Sequence, residues 1–95
     1  MPKHARTAAK RDLNEGEIIK ALQDAGAEVT QLDKPVDLLV SHQRAWYLIE
    51  VKNPNTAYGK AGANEQQQVW IEKQKAAVWV VYSVEQALDI INNQA

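Results

Sequence analysis

Two charged clusters interrupt apolar runs in the middle of this chain. Asp37 lies inside Pro35-Val36-Asp37-Leu38-Leu39-Val40, and Glu50 and Lys52 lie inside Tyr47-Leu48-Ile49-Glu50-Val51-Lys52. Side chains on a strand alternate between its faces, so Glu50 and Lys52 point the same way, roughly 7 Å apart, while Val51 turns to the opposite side. An acid and an ammonium then share one face. If the Asp37 strand pairs beside the Glu50 strand, two carboxylates meet where an oxygen-preferring divalent cation could sit. Mg²⁺ needs only one or two carboxylates, with water and substrate phosphate completing its shell. That is the minimum for metal-assisted hydrolysis of a phosphodiester.

Helical geometry aims two more polar side chains inward. At about 100° per residue, Glu15 projects into the middle of the stripe formed by Ile18, Ile19 and Leu22, whereas Glu17 falls well to one side. Gln67 shares a second helical stripe with Trp70, Ile71 and Gln74. Taken singly, each residue has an ordinary use. Glu50 and Lys52 would make an ion pair on a solvated face, Asp37 would close the Lys34-Pro35 turn, Glu15 would complement the helix dipole, and Gln67 would complete a capping box. What sets them apart is their joint occurrence, in order, on elements able to bring them together.

Those elements follow from local pattern. Ile18, Ile19, Leu22 and Ala25 mark a helix over residues 13–25, opened by an Asn14/Glu17 capping box and stopped at Gly26. Strands are expected at residues 28–32, 36–40 and 45–51, joined by polar or proline-bearing connections and short enough to be antiparallel neighbours. Residues 53–63 carry Pro54, Gly59 and Gly62 and read as a loop. A second helix should span 64–75, capped by Asn64 and Gln67, and the apolar run 77–82 should be an internal strand. Ser83 and Gln86 cap a last helix with Val84, Ala87, Leu88 and Ile91 on one side. The expected fold is α/β, a mixed central sheet with flanking helices in the order α-β-β-β-α-β-α.

Composition narrows the class. A chain of 95 residues has room for one domain, expected over residues 12–95. With 45% hydrophobic and 24% charged residues it reads as globular, and with no cysteine it excludes disulfide frameworks and thiolate zinc sites. No apolar run approaches the roughly 20 residues of a membrane span. A soluble, intracellular protein of the cytoplasm is expected. A net charge of −1 excludes a wholly basic surface but leaves room for a local patch. Lys3, Arg6, Lys10 and Arg11 all precede the first acid, so residues 1–11 form a basic, flexible arm that is either simply solvated or tracks a phosphate backbone. His4 and His42 have no partner ligands nearby in sequence and read as surface residues.

The ordered set Glu15, Asp37, Glu50-Val51-Lys52 and Gln67 resembles the PD-(D/E)xK nuclease superfamily, whose restriction-endonuclease-like core is αβββαβ. The stretch from Glu15 to Gly26, with Val36-Asp37-Leu38-Leu39-Val40 and Ile49-Glu50-Val51-Lys52, is similar to the archaeal-type Holliday-junction resolvases. The downstream half, from Asn64-Glu65-Gln66-Gln67-Gln68-Val69-Trp70 through Val78-Trp79-Val80-Val81-Tyr82 to Leu88, is similar to the small stand-alone VRR-NUC nucleases. Here Val36 separates the proline from the aspartate, and the basic helix of the VRR-NUC group is thin.

The resemblance implies a Mg²⁺- or Mn²⁺-dependent endonuclease acting on DNA, branched or four-way junction DNA above all, as a homodimer, and leaving 5′-phosphate and 3′-hydroxyl ends. Asp37, Glu50 and the Val51 carbonyl would hold the metal, with Glu15 acting directly or through water. Lys52 would stay protonated and stabilise transition-state charge, and Gln67 would orient water, ligand or phosphate. DNA contacts would come from the arm, from Tyr58 and Lys60 in the loop, and from Lys73. The other class of function is a DNA-binding or assembly module that keeps the fold without catalysis. Trp46, Trp70 and Trp79 would supply core packing or a dimer face.

Overall fold

A computed structural model of the chain describes residues 14–53 and 65–93. The basic arm, including Lys3, Arg6, Lys10 and Arg11, and the Tyr58 and Lys60 positions lie outside the described residues. The elements are α1 (Glu15–Asp24), β1 (Glu28–Gln31), β2 (Leu38–His42), β3 (Ala45–Val51), α2 (Glu65–Lys73), β4 (Val78–Val81) and α3 (Val84–Asn93). Their order is the expected one. The four strands form one sheet in the order β1-β2-β3-β4, an antiparallel meander followed by a parallel β3/β4 pair. Among the described residues no helix is long and apolar enough to cross a membrane.

One face of the sheet makes the core. Register aligns Val29, Val40 and Tyr47 across three strands, then Leu38, Ile49 and Trp79, then Val51 and Val81. Because paired residues share a face, these side chains form one layer, joined by Ile18 and Leu22 of α1 and by Ala87, Ile90 and Ile91 of α3. Each fully buried Ile or Leu contributes about 1.5–3 kcal/mol by leaving water. Residues 46, 48, 50 and 52 alternate to the opposite face.

Capping explains where the helices stop and start. At the end of α1, Gly26 takes φ +99° while its N–H donates to the Gln23 carbonyl and the Ala27 N–H donates to the Leu22 carbonyl, each at 3.0 Å. This is a Schellman arrangement, which favours glycine at the left-handed position. At the start of α3, Ser83 Oγ accepts the Gln86 N–H, and Gln86 Oε1 accepts the Tyr82 N–H, so the expected capping pair forms.

Four expectations are corrected. Asn14 opens α1, yet its side chain makes no cap bond; its amide donates instead to the carbonyls of Lys52 and Tyr82, each at 3.1 Å. Those carbonyls follow the last bond of the β3/β4 ladder, Lys52 N–H to the Val81 carbonyl at 2.9 Å, and Asn14 satisfies both. Second, β2 starts at Leu38 rather than 36, because the turn holding Lys34-Pro35 closes with Leu32 N–H on the Asp37 carbonyl at 2.7 Å. It runs on through Ser41 and His42, so the hairpin loop shrinks to Gln43 and Arg44, with φ +49° and +71°. Two positive φ values at a two-residue loop are what the right-handed strand twist demands, although Asn-Gly is the usual way to meet it. Third, among the described residues β4 is an edge strand and not an internal one. Its apolar run is explained by Val81 and Trp79 facing the core, while Val78 and Val80 stay half-buried on the other face. Fourth, His42 is buried, not a surface residue.

Candidate active site

Asp37, Glu50, Lys52 and Gln67 come together at the end of the sheet where β3 finishes and β2 begins. Extending the Leu38/Ile49 register by one residue sets Asp37 opposite Glu50. Asp37 Oδ2 accepts the Val51 N–H at 2.9 Å, so the acid stands at the sheet margin and substitutes for a missing ladder acceptor. Glu50 and Lys52 share a face, as strand alternation requires, and Lys52 Nζ lies 3.1 Å from Glu50 Oε2. Both side chains are buried, at 5% exposure for Lys52 and 7% for Glu50. This is therefore not a solvated surface pair: each charge has left water and depends on the other.

Burial, and after it the negative charge of Asp37, push the Glu50 carboxyl above its ordinary value of 4.5. Hydrogen bonds from Lys52 and from Gln67, with the Lys52 charge, pull the other way without cancelling the rise. Gln67, half-buried on α2, thus reaches Glu50 from the face opposite the hydrophobic core; the Asn64 half of its expected capping pair lies outside the described residues.

Glu15 is also buried, sharing the inner face of α1 with Ile18 and Leu22 while Glu17 is exposed. Its Oε2 lies 3.4 Å from Gln31 Nε2 on β1, a long hydrogen bond. The neighbouring Asn14 fixes the start of α1 to the chain just after Glu50 and Val51. Lys73 sits on the exposed last turn of α2. Of the tryptophans, Trp79 packs against the core, Trp70 is half-buried and Trp46 is 71% exposed.

The donor set at this end suits a hard divalent cation. Asp37, Glu50 and the Val51 carbonyl offer oxygen only, as Mg²⁺ and Mn²⁺ prefer. Glu50 Oε1 is buried without a hydrogen bond of good geometry, and the Asp37 charge adds to the cost of ionising Glu50, which a cation would relieve. Among the described residues no group of three or more His, Cys, Asp or Glu side chains is gathered as metal ligands. A set of two carboxylates and a carbonyl is nonetheless within what Mg²⁺ accepts.

Sequence reasoning singled out Asp37, Glu50, Lys52, Gln67 and Glu15, and missed three contributors. Asn14 was legible only as a cap. Gln31, at a strand end, carries no signal that it meets Glu15. Asn53 follows Lys52 and is buried at this end of the sheet.

No family model and no curated protein sequence matches the chain. Among solved structures, one described as a VRR_NUC domain matches with a TM-score of 0.59 and 24% identity, covering 88% of this chain and 100% of that one. The likeness shows the fold: a mixed four-stranded sheet with flanking helices, of the restriction-endonuclease-like kind found in that domain.

Proposed function

We propose that this protein is a Mg²⁺- or Mn²⁺-dependent endonuclease that hydrolyses DNA phosphodiesters, with branched DNA as its preferred substrate. The observation that carries the reading is the pairing of Asp37 with a buried Glu50 beside a buried Lys52 at one end of the sheet. A buried carboxylate beside a second acid has a high cost in a structure this small, and a cation site gives the two a use. The shared fold with a VRR_NUC domain supports the same class.

Asp37, Glu50 and the Val51 carbonyl would hold the metal, and Glu15, engaged with Gln31, would act on it through water. A bound cation of this kind supplies Lewis-acid stabilisation of the charge that develops on the phosphoryl group. Lys52, paired with Glu50, would be preorganised to stabilise the same charge and would cost no reorganisation during reaction. Gln67 hydrogen-bonds Glu50, which favours the ionised form against the effect of burial, and would orient it. Val51 would contribute twice, since its N–H fixes Asp37 and its carbonyl would serve as a ligand. The basic arm of residues 1–11, with Tyr58, Lys60 and Lys73, would grip the DNA backbone and make binding salt-dependent. Two symmetric cuts at a four-way junction call for two active sites, hence a two-fold homodimer.

The test is direct. Purified protein is incubated with end-labelled four-way junction, flap and duplex DNA in Mg²⁺, Mn²⁺ or EDTA, beside Asp37→Asn and Lys52→Ala. Junction cleavage that needs metal and disappears in both variants supports the proposal. Equal, metal-insensitive results for all three proteins remove it and leave a non-catalytic DNA-binding module.

A further inference from the structure

We propose that a hollow beside the β2–β3 hairpin binds an unpaired nucleotide, its base stacked on Trp46 and its phosphate held by Arg44. This deepens the nuclease reading and rests on it for the class of polymer. The site lies at the opposite end of β3 from Glu50.

The hollow has a volume of about 370 Å³ and is lined by residues 41–46 together with Gly26 and Glu28. That size falls within the range of small-ligand sites. Three of its side chains are in unusual states. Trp46 is 71% exposed, the most exposed large apolar side chain among the described residues. His42 is only 9% exposed, yet its buried Nδ1 has no hydrogen-bond partner. This nitrogen is sealed on the core face with Leu38 and Val40, the side opposite Trp46, so it is not one of the nucleotide's contacts. Arg44 is exposed, held at positive φ in the hairpin turn, and makes no ion pair among the described residues.

An aromatic face beside a guanidinium matches a nucleotide better than it matches an apolar partner. Indole faces stack on any base, and a guanidinium beside them takes the phosphate. Glu28, paired in register with Ser41, puts an acid on the opposite rim. It would repel a phosphate there and accept a base amino group, which sets the direction in which the nucleotide lies.

The connection to the catalytic end is geometric. Trp46 and Glu50 have the same strand parity, so they face the same side, four residues or about 13 Å apart, with half-buried Leu48 between them. A short single strand anchored on Trp46 would run along this face towards Asp37 and Glu50. The substrate class implied is therefore DNA with an unpaired segment next to the scissile bond, such as a flap or an opened junction, in preference to continuous duplex.

The experiment measures binding apart from cleavage. Fluorescein-labelled oligothymidylate, a flap and a duplex are titrated by anisotropy in EDTA with wild type, Trp46→Ala, Trp46→Phe and Arg44→Ala; light scattering gives each protein's mass. Loss of one stacking partner should weaken oligothymidylate and flap binding by about 5- to 100-fold in Trp46→Ala, with Trp46→Phe largely restored. Arg44→Ala should weaken it and flatten the salt dependence. Duplex binding should stay within about two-fold of wild type, since contacts to paired backbone are sequence- and stack-independent. Single-strand binding unchanged in Trp46→Ala overturns the proposal, as does a wild type that does not bind single strands. A Trp46→Ala variant that merely turns a dimer into a monomer also overturns it, because Trp46 would then cover a second copy. Trp46-dependent binding in a protein that never cleaves removes the nuclease reading and keeps this one, whereas metal-dependent cleavage with Trp46-independent binding does the reverse.

Discussion

Asp37 Oδ2 accepts the Val51 amide proton across 2.9 Å, so a single acid ties the start of β2 to the end of β3 and stands beside Glu50 while doing so. Asp37→Asn keeps an oxygen for the Val51 N–H and removes the charge. The fold should persist, and the Glu50 carboxyl should move down towards its ordinary value because one of the causes raising it is gone. Metal affinity should drop by more than the ~10–100-fold that loss of an outer-shell partner brings. Mn²⁺-induced thermal stabilisation reads this directly; a variant stabilised as much as wild type would show that Asp37 is no ligand.

Lys52→Met takes the ammonium away from a buried carboxylate. Breaking such a pair by removing one partner costs about 3–5 kcal/mol. Urea denaturation at neutral pH should show that loss, and Glu50 should hold its proton to still higher pH. Replacing both residues, as Glu50→Leu with Lys52→Met, should be less destabilising than Lys52→Met alone.

The raised Glu50 value has a sign that can be checked. The folded protein keeps this proton at pH values where the unfolded chain, titrating near 4.5, has released it. From 4.5 up to the raised value, stability therefore falls as pH rises, and above the raised value the whole cost is present. Cation binding works in the opposite direction, since the metal competes with that proton and binds more tightly as pH increases through the same window. Thermal melts with and without Mn²⁺ should show a metal-induced shift that grows with pH from 4.5 upward. A shift that does not change over this window would mean that Glu50 does not touch the metal.

Asn14→Ala should destabilise by about 1–3 kcal/mol, because two carbonyls at the ends of β3 and β4 lose their donor. Asn14→Asp should be worse, placing a carboxylate against both. Urea melts of the two variants test the order.

Much of this arrangement can be read from the chain alone where one local rule decides. Helix periodicity places Glu15 inward and Glu17 outward, and strand alternation pairs Glu50 with Lys52 on one face; both are seen. What the sequence hides depends on distant partners. Asn14 reads as a cap because Glu17 follows it, yet carbonyls 38 and 68 residues away claim its amide. The run around Val78 reads as an internal strand because apolar content reports burial and not the position of a strand within its sheet. Ser41 and His42 read as a connection because polarity is a weak guide near the end of a hairpin, where side chains reach water or a hollow. Burial of the Glu50–Lys52 pair was also hidden, because the covering residue, Gln67, comes from a helix later in the chain.

The strand order has a kinetic side. The three antiparallel strands fall within residues 28–51 and can zip from one turn to the next, but Leu48 must find Val78 to start the parallel pair. Closing that larger loop is the slower event, and the Asn14 clamp on both strand ends can form only afterwards. The expectation is a chain in which the hairpin hollow matures early and the carboxylate end last. Pulsed hydrogen exchange during refolding should find the Val40 and Tyr47 amides protected before that of Lys52; simultaneous protection would point to a single concerted event.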